Sequence, residues 1–319
     1  MSKCGSVCGL FACALLLLSA RAAICQTSQE PMQEAQSLLA AGRLPEAEAV
    51  LRQYLKANSS SAEAHYLLGD VLFREKRAVE SLGEFTAGSK FKPPTAGEFR
   101  TIASDYVLLG DFADADKWFS EVTTETPNNP DVWYLLGRTK YNENRFAEAI
   151  AAFEHVLTLR PKDVRAEDNL GLSQQGLGHT EQAKAAFQTA IEWQHDAPAD
   201  AQPYLNLGTL LTDQGDLTGA IQQLTKAAAL APGNPKIHEE LGRALQTRGD
   251  LEGAQSQLET AVKLAPNAAA LHFELGQIYR RRGLNDRAQE EFAICAKLNG
   301  GHSSTEVPNP FSPATPAKP

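Results

Sequence analysis

The sequence predicts an all-α solenoid of about eight helix-turn-helix repeats. Three observations predict it. A pattern of small and large apolar residues returns every 34 residues. Within each period, apolar residues recur at i, i+3, i+4 and i+7 in two successive runs, as two amphipathic helices require. Strand signals are sparse, with few Val/Ile/Thr alternations and no hairpin turns between them.

The clearest unit runs from Pro130 to Asp163, PDVWYLLGRTKYNENRFAEAIAAFEHVLTLRPKD. Leu136-Gly137 fill its seventh and eighth places, Ala149 the twentieth, Phe153 the twenty-fourth and Pro161 the thirty-second. The glycine place recurs at Gly69, Gly137, Gly171, Gly208, Gly242 and Gly276, with Ala35 and Ala103 standing in for it elsewhere. The twentieth place gives Ala47, Ser81, Ala115, Ala149, Ala183, Ala220, Ala254 and Ala288. The large apolar place gives Phe85, Phe119, Phe153, Phe187, Leu224, Leu258 and Phe292. A glycine inside a helix costs about 1 kcal/mol against alanine, so packing has to compensate. The expected compensation is a close helix crossing at the small twentieth place. Pro161 then blocks helix continuation.

At these residues the chain resembles the tetratricopeptide repeats, over about 270 of its 319 residues. The resemblance implies a right-handed superhelix whose first helices line a concave groove.

Taken in order, residues 1–25 read as a leader. Lys3 precedes an apolar run from Val7 to Ala20, shorter than the ~20 residues that span a bilayer. Ala20-Arg21-Ala22 fits a small-x-small cleavage site, and cleavage after Cys25 is the alternative. The chain is therefore expected to be exported, periplasmic or secreted; an uncleaved anchor over residues 7–24 is the other reading. Four cysteines fall in this leader and only Cys295 in the body, so no disulfide framework is expected.

Residues 27–61 read as a degenerate capping repeat that keeps Gly42, Ala47 and Tyr54. Residues 62–197 hold the front repeats, with a degenerate unit at 96–129. Three extra residues between Ile191 and Pro203 shift the phase, and the softest joint is expected there, before the back repeats at 198–299. The turns between paired helices carry Gly110-Asp111, Gly215-Asp216, Gly249-Asp250 and Gly283-Leu284-Asn285. Glycine closes one helix in the left-handed conformation and the Asp or Asn caps the next. Gly178-His179-Thr180 is expected to do the same through its threonine. Residues 300–319, with five prolines, form a Pro-rich tail expected to stay unfolded, with Pro308-Asn309-Pro310-Phe311 as a candidate docking segment.

The formal charge of −9 argues against nucleic acid, which needs a basic stripe. There is no HExxH, paired CxxC, GxSxG or GxxxxGK[ST], so neither a cofactor nor catalysis is expected. His65, His238 and His272 share the fourth place with Trp133 and read as packing residues rather than metal ligands.

Surface recognition is left. On the faces that the resemblance assigns to the groove stand Phe73, Tyr134, Arg138, Tyr141, Arg165, Asn169, Asn206 and Arg243. Asn169 and Asn206 precede the Leu-Gly of adjacent units. In several relatives an asparagine there holds a ligand's backbone, since one amide both donates and accepts. The aromatic residues are candidate apolar anchors. The arginines suit carboxylates, those of a ligand or, as the alternative, the nearby Asp131, Asp168 and Glu239. The Lys-and-Asn pairing of chaperone-tail-binding relatives is absent from every unit. The expected function is a non-catalytic module that binds an extended peptide or partner protein. The alternatives are a structural scaffold in an envelope complex for secretion, pilus assembly or polysaccharide export and, third, an enzyme. Membrane contact is expected only through an uncleaved leader.

Overall fold

The computed structural model describes residues 30–194 and 199–300. Within them the chain forms sixteen α-helices and no strand. The leader, the tail beyond Gly300, and His195 and Asp196 of the insertion lie outside the described residues.

The chain divides after Pro161 into two compact units. The first holds α1 (residues 30–40), α2 (Leu44–Ala57), α3 (Ala62–Arg74), α4 (Ala78–Ser89), α5 (Ala96–Leu109), α6 (Phe112–Glu125), α7 (Pro130–Asn142) and α8 (Phe146–Leu159). The second holds α9 (Val164–Gly176), α10 (Thr180–Glu192), α11 (Gln202–Gln214), α12 (Leu217–Leu230), α13 (Pro235–Arg248), α14 (Leu251–Leu264), α15 (Ala269–Arg281) and α16 (Asn285–Gly300). Each unit is thus four helix pairs, and inside each unit a pair lies against its successor. First helices also touch one another, α3 with α5 and α11 with both α9 and α13. The weakly patterned stretch at 96–129 forms an ordinary pair, α5–α6, with Ala103 fully buried against Ala115 and Phe119.

The reason for the glycine place differs from the sequence expectation. What lies nearest to it is the large residue of the second helix, while the twentieth place also comes close, with the Ala220 carbonyl 3.2 Å from a methyl built on Gly208. A methyl group built on Gly137 would stand 2.7 Å from the Phe153 ring, and one on Gly171 2.6 Å from Phe187. Gly69 meets Phe85, Gly208 meets Leu224 and Gly276 meets Phe292 in the same way. The rings of Phe85, Phe119, Phe153 and Phe187 are all buried to 2% or less. The lost helix propensity is therefore offset by seating a whole phenyl ring on bare backbone, where packing leaves no void.

The fourth place has an equally regular use. Trp133 donates its indole N–H to the Pro127 carbonyl at 2.8 Å. His65, His238 and His272 direct Nε2 at the carbonyls of Ser59, Pro232 and Pro266, at 3.0, 3.0 and 2.9 Å, always six residues back. Nδ1 of the three imidazoles faces Glu84, Gln257 and Glu291. Both ring nitrogens are occupied in tying a first helix to the turn before it and to its partner helix.

Asp111, Asp216 and Asp250 cap their helices by accepting from the backbone N–H of Asp114, Gly219 and Gly253. Thr180 does not: it is already the first residue of α10, and its hydroxyl donates back to the Gly178 carbonyl at 3.4 Å. The turns within the pairs are left-handed at Gly42, Lys76, Gly110, Asn144, Gly178, Gly215, Gly249 and Gly283. Only Lys76 and Asn144 bear a side chain there, at φ 62° and 60°.

Two glycine-to-alanine changes separate packing from propensity. Gly83 in α4 has no atom within 4 Å of its missing Cβ, so Gly83→Ala gains helix propensity and stabilises by up to about 1 kcal/mol. Gly137→Ala forces Phe153 off its seat and destabilises by roughly 1–3 kcal/mol. Urea midpoints followed by circular dichroism check this; a lower midpoint for the first, or a higher one for the second, contradicts the packing account.

Candidate functional site

The second helices spend their charges on one another. Arg77, just before α4, reaches Glu48 of α2 at 2.8 Å, Glu75 at 2.7 Å and Glu80 at 2.6 Å. Arg145, before α8, repeats the arrangement with Asp116 of α6 at 2.6 Å, Glu143 at 2.9 Å and Glu148 at 2.5 Å. Its guanidinium holds the Glu148 carboxyl down to about 2. Lys140 joins the same cluster through Asp116 at 2.8 Å. These networks bind adjacent repeats and leave their groups committed.

The first helices of the N-terminal unit are different. Phe73 of α3 lines two neighbouring pockets. One, of about 260 Å³, is walled by Phe73, Val107, Leu108 and Leu135 and edged by Arg138 and Asn142. The other, of about 230 Å³, is polar and takes in Asp70, Arg74, Glu98, Arg100 and Thr101. Leu108 is 48% exposed. Arg100 and Arg138 are exposed as well, and neither forms an ion pair among the described residues. Tyr134 and Tyr141, on the same α7, lean on Phe153 and Phe146 with ring centroids 5.9 and 5.4 Å apart. Phe73 and Arg138 are thus the two sequence-predicted residues that one pocket brings together.

In the C-terminal unit the predicted residues are engaged internally. Asn206 of α11 donates to both carboxylate oxygens of Asp168 on α9, at 2.9 and 3.0 Å, and accepts from Gln202 at 2.9 Å. Asn169 donates to the Arg165 carbonyl one turn back at 2.8 Å, and Arg165 has Asp163 at 3.9 Å. Arg243 pairs with Glu240 at 2.5 Å and Asp213 at 3.0 Å rather than with Glu239, which goes to Lys236. Glu239 and Glu240 both lie within about one turn of Arg243; Lys236 takes Glu239, and the nearly buried Glu240 is left to Arg243. Burial pushes Asp168 up to about 7; the Asn206 amide opposes the rise and the Asp200 charge adds to it. Phe273 of α15 stays 47% exposed beside Phe292.

Asp105 of α5 was not singled out by the sequence reading. It is fully buried, and neither carboxylate oxygen has a hydrogen-bond partner among the described residues. The nearby Ser81 hydroxyl is directed instead at the Gly69 carbonyl, at 2.9 Å. Burial pushes Asp105 up to about 6; Ser81 opposes the rise, and the Asp70 charge adds to it. The signal was available by alignment. The tenth place holds Val71, Asp105, Thr139, Ser173, Leu210, Ala244 and Ile278, all buried, and only one of them is ionisable. Among the described residues no group of three or more His, Cys, Asp or Glu side chains could hold a metal ion, and no helix is long and apolar enough to cross a membrane.

Two family profiles, both described as tetratricopeptide repeat, match this chain, one at residues 32–90 and 169–235 and the other at 106–166 and 211–272. Together they span more than half of the chain. The peroxisomal targeting signal receptor of Saccharomyces cerevisiae is 30% identical over 106 residues, 33% of this chain and 17% of the receptor. An uncharacterized TPR repeat-containing protein of Arabidopsis thaliana is 31% identical over 105 residues, 30% of this chain and 13% of its own length. These curated relatives are far longer than the stretch they share with it. Among solved structures, a tetratricopeptide repeat protein from Parabacteroides merdae superposes with a TM-score of 0.66 at 18% identity, over 79% of this chain and 99% of that one. PilW, a type IV pilus biogenesis factor, gives 0.57 at 20% identity over 66% and 95%. At such identities the likeness is one of fold.

The buried Asp105 makes stability depend on pH. Its folded value near 6 lies above the ~3.9 of an unfolded aspartate, so the native state binds the proton more tightly. The contribution of Asp105 to stability is greatest below pH 4, falls as the pH rises through 6 and is level above that. Asp105→Val removes the charge and fills a place that is Val71 in the preceding repeat. We expect it to raise stability at pH 7 by roughly 2–3 kcal/mol and to flatten the pH 4–6 slope. Urea melts at pH 4, 5, 6 and 7 check this; an unchanged slope in the variant assigns it to other groups.

Proposed function

Since this chain belongs to the tetratricopeptide-repeat family, we propose that it is a non-catalytic protein–protein interaction module whose first-helix face takes an extended peptide or partner protein. The observation that carries the reading is the contrast between the two helix layers. Arg77 and Arg145 are consumed in ion pairs between second helices, whereas Arg138, Leu108 and Phe73 stand uncommitted around a pocket on the first helices. A face that keeps donors and apolar area open has them to offer a partner, and aromatic and arginine side chains supply most of the energy at such surfaces. The sequence similarity to targeting-signal receptors, proteins that recognise other proteins' signals, supports the same class of function. In this proposal the leader-like residues 1–25 direct the module out of the cytoplasm, where it serves an envelope complex.

Capture experiments with the tagged full chain test it. Leu108→Glu and Phe273→Glu place a charge on first-helix residues that are 48% and 47% exposed; Val79→Glu does so on α4, at a residue 70% exposed. Partner recovery is expected to drop at least tenfold for a first-helix variant and to persist for Val79→Glu. Loss with Val79→Glu alone points to the scaffold reading instead. The leader is checked by the N-terminal sequence of the exported protein, expected to begin at Ala23 or Gln26; an intact Met1 excludes cleavage.

A further inference from the structure

We propose that the pocket between Phe73 and Arg138 is a two-part docking site for an extended protein segment carrying a large apolar side chain next to a carboxylate. This deepens the proposed interaction function and rests on it.

Size decides the first part. At about 260 Å³ the cavity is smaller than the roughly 300–1,000 Å³ of sites that enclose small molecules. It suits one inserted side chain, of leucine or phenylalanine size. Its walls fit such an occupant: Phe73 from α3, Val107 and Leu108 from α5, and Leu135 from α7. The floor is the fully buried Phe119, part of the core, so the pocket has a rigid base.

Charge decides the second part. Arg138 stands at the rim with no carboxylate paired to it among the described residues. Across Phe73, the adjoining pocket adds Arg74 and Arg100, which also lack an ion pair among the described residues. Arg74 gives one N–H to the Leu39 carbonyl, at 3.3 Å. The acids nearest these arginines are occupied: Asp70 accepts from the Thr101 hydroxyl at 3.0 Å, and Glu98 closes the capping box at Thr95. Burial pushes the Asp70 carboxyl up, and the Thr101 hydroxyl and the charges of Arg74 and Arg100 oppose that rise. Arg77, Arg145 and Arg243, by contrast, are paired with carboxylates of the chain. A guanidinium left without one beside an apolar cleft is complementary to an anionic, amphipathic segment, because it offers a planar fork of donors to a carboxylate. The amide of Asn142, also at the pocket edge, is placed for the segment's backbone, whereas the Ser104 hydroxyl donates to the Arg100 carbonyl at 2.8 Å.

Photo-crosslinking to the full chain tests this. The probe is a C-terminally amidated Gly/Ser nonapeptide with a benzophenone-bearing phenylalanine followed by aspartate. Crosslinks are expected on α5 and α7, around Leu108 and Leu135. Their yield is expected to fall about tenfold when the peptide aspartate becomes asparagine and, with the aspartate peptide, in Arg138→Ala. Arg138→Lys should recover part of the yield, and matched circular dichroism melts ensure that the variants fold. Crosslinks elsewhere, or a yield indifferent to both the peptide aspartate and Arg138, overturn the proposal. If the pocket proposal fails this way while partner capture still needs Leu108 or Phe273, the general interaction reading stands and only this site falls. A chain ending at Gly300 provides the last arm: if the probe binds only when residues 301–319 are removed, the pocket's occupant is the chain's own tail, and the partner segment proposed here is wrong.

Discussion

Six of the eight repeats turn on a large apolar side chain seated on bare backbone. The phenyl or isobutyl group of the second helix lies where a Cβ of the first helix would be, 2.5–3.0 Å from the position that atom would occupy. This contact fixes how near the two helices of a pair approach and in what rotational register. The other regularities follow from it. With the pair locked, the fourth-place rings of His65, Trp133, His238 and His272 all meet the carbonyl six residues back. The turn itself must be left-handed even where lysine or asparagine has to adopt it. Stability then accumulates pair by pair rather than in one central core.

That economy decides where function has room. The apolar residues of both helices are used up in stacking, and the ion pairs of the second helices tie one repeat to the next. In the C-terminal unit even the inward-facing polar groups are tied down, Asn206 to Asp168 and Arg243 to Glu240 and Asp213. Thr101 and Asp70 make a similar link between α3 and α5. What is left over in the N-terminal unit is an apolar cleft with a guanidinium at its edge that has no ion pair among the described residues. Asp105 is the exception in the interior. It is a carboxylate in a slot that other repeats fill with aliphatic or hydroxyl side chains, and its burial costs the third repeat stability at neutral pH.

Periodicity made the fold readable. Glycine, alanine, phenylalanine and proline recur because backbone geometry admits little else at those places, so the helix pairs could be traced even through the weakly patterned stretch at 96–129. The cause of the glycine was harder to see: spacing shows that two places vary together but not which of two neighbours lies on top. The candidate site was only partly legible. Phe73 and Arg138 belong to different repeats, and their shared pocket depends on how α3, α5 and α7 stack. Pairings among charges were the least legible of all. Arg243 had several acids within one or two turns, and rotamers, not sequence, chose Glu240 and Asp213. Asp105 was hidden for another reason: an aspartate in a helix reads as solvated until the column of residues above and below it is compared.

The constancy of the ring-on-glycine seat bears on how such a chain can change length. Unequal crossing-over that deletes or duplicates 34 residues, wherever the breakpoints fall, returns each ring to a glycine and each turn to its handedness. Loss or gain of any other number inside a helix pair breaks the register at once. The three additional residues between Ile191 and Pro203 sit between α10 and α11, outside any pair, the kind of place where an off-step event is tolerated. A gene built this way can add or drop whole recognition segments while the joints between them stay the same.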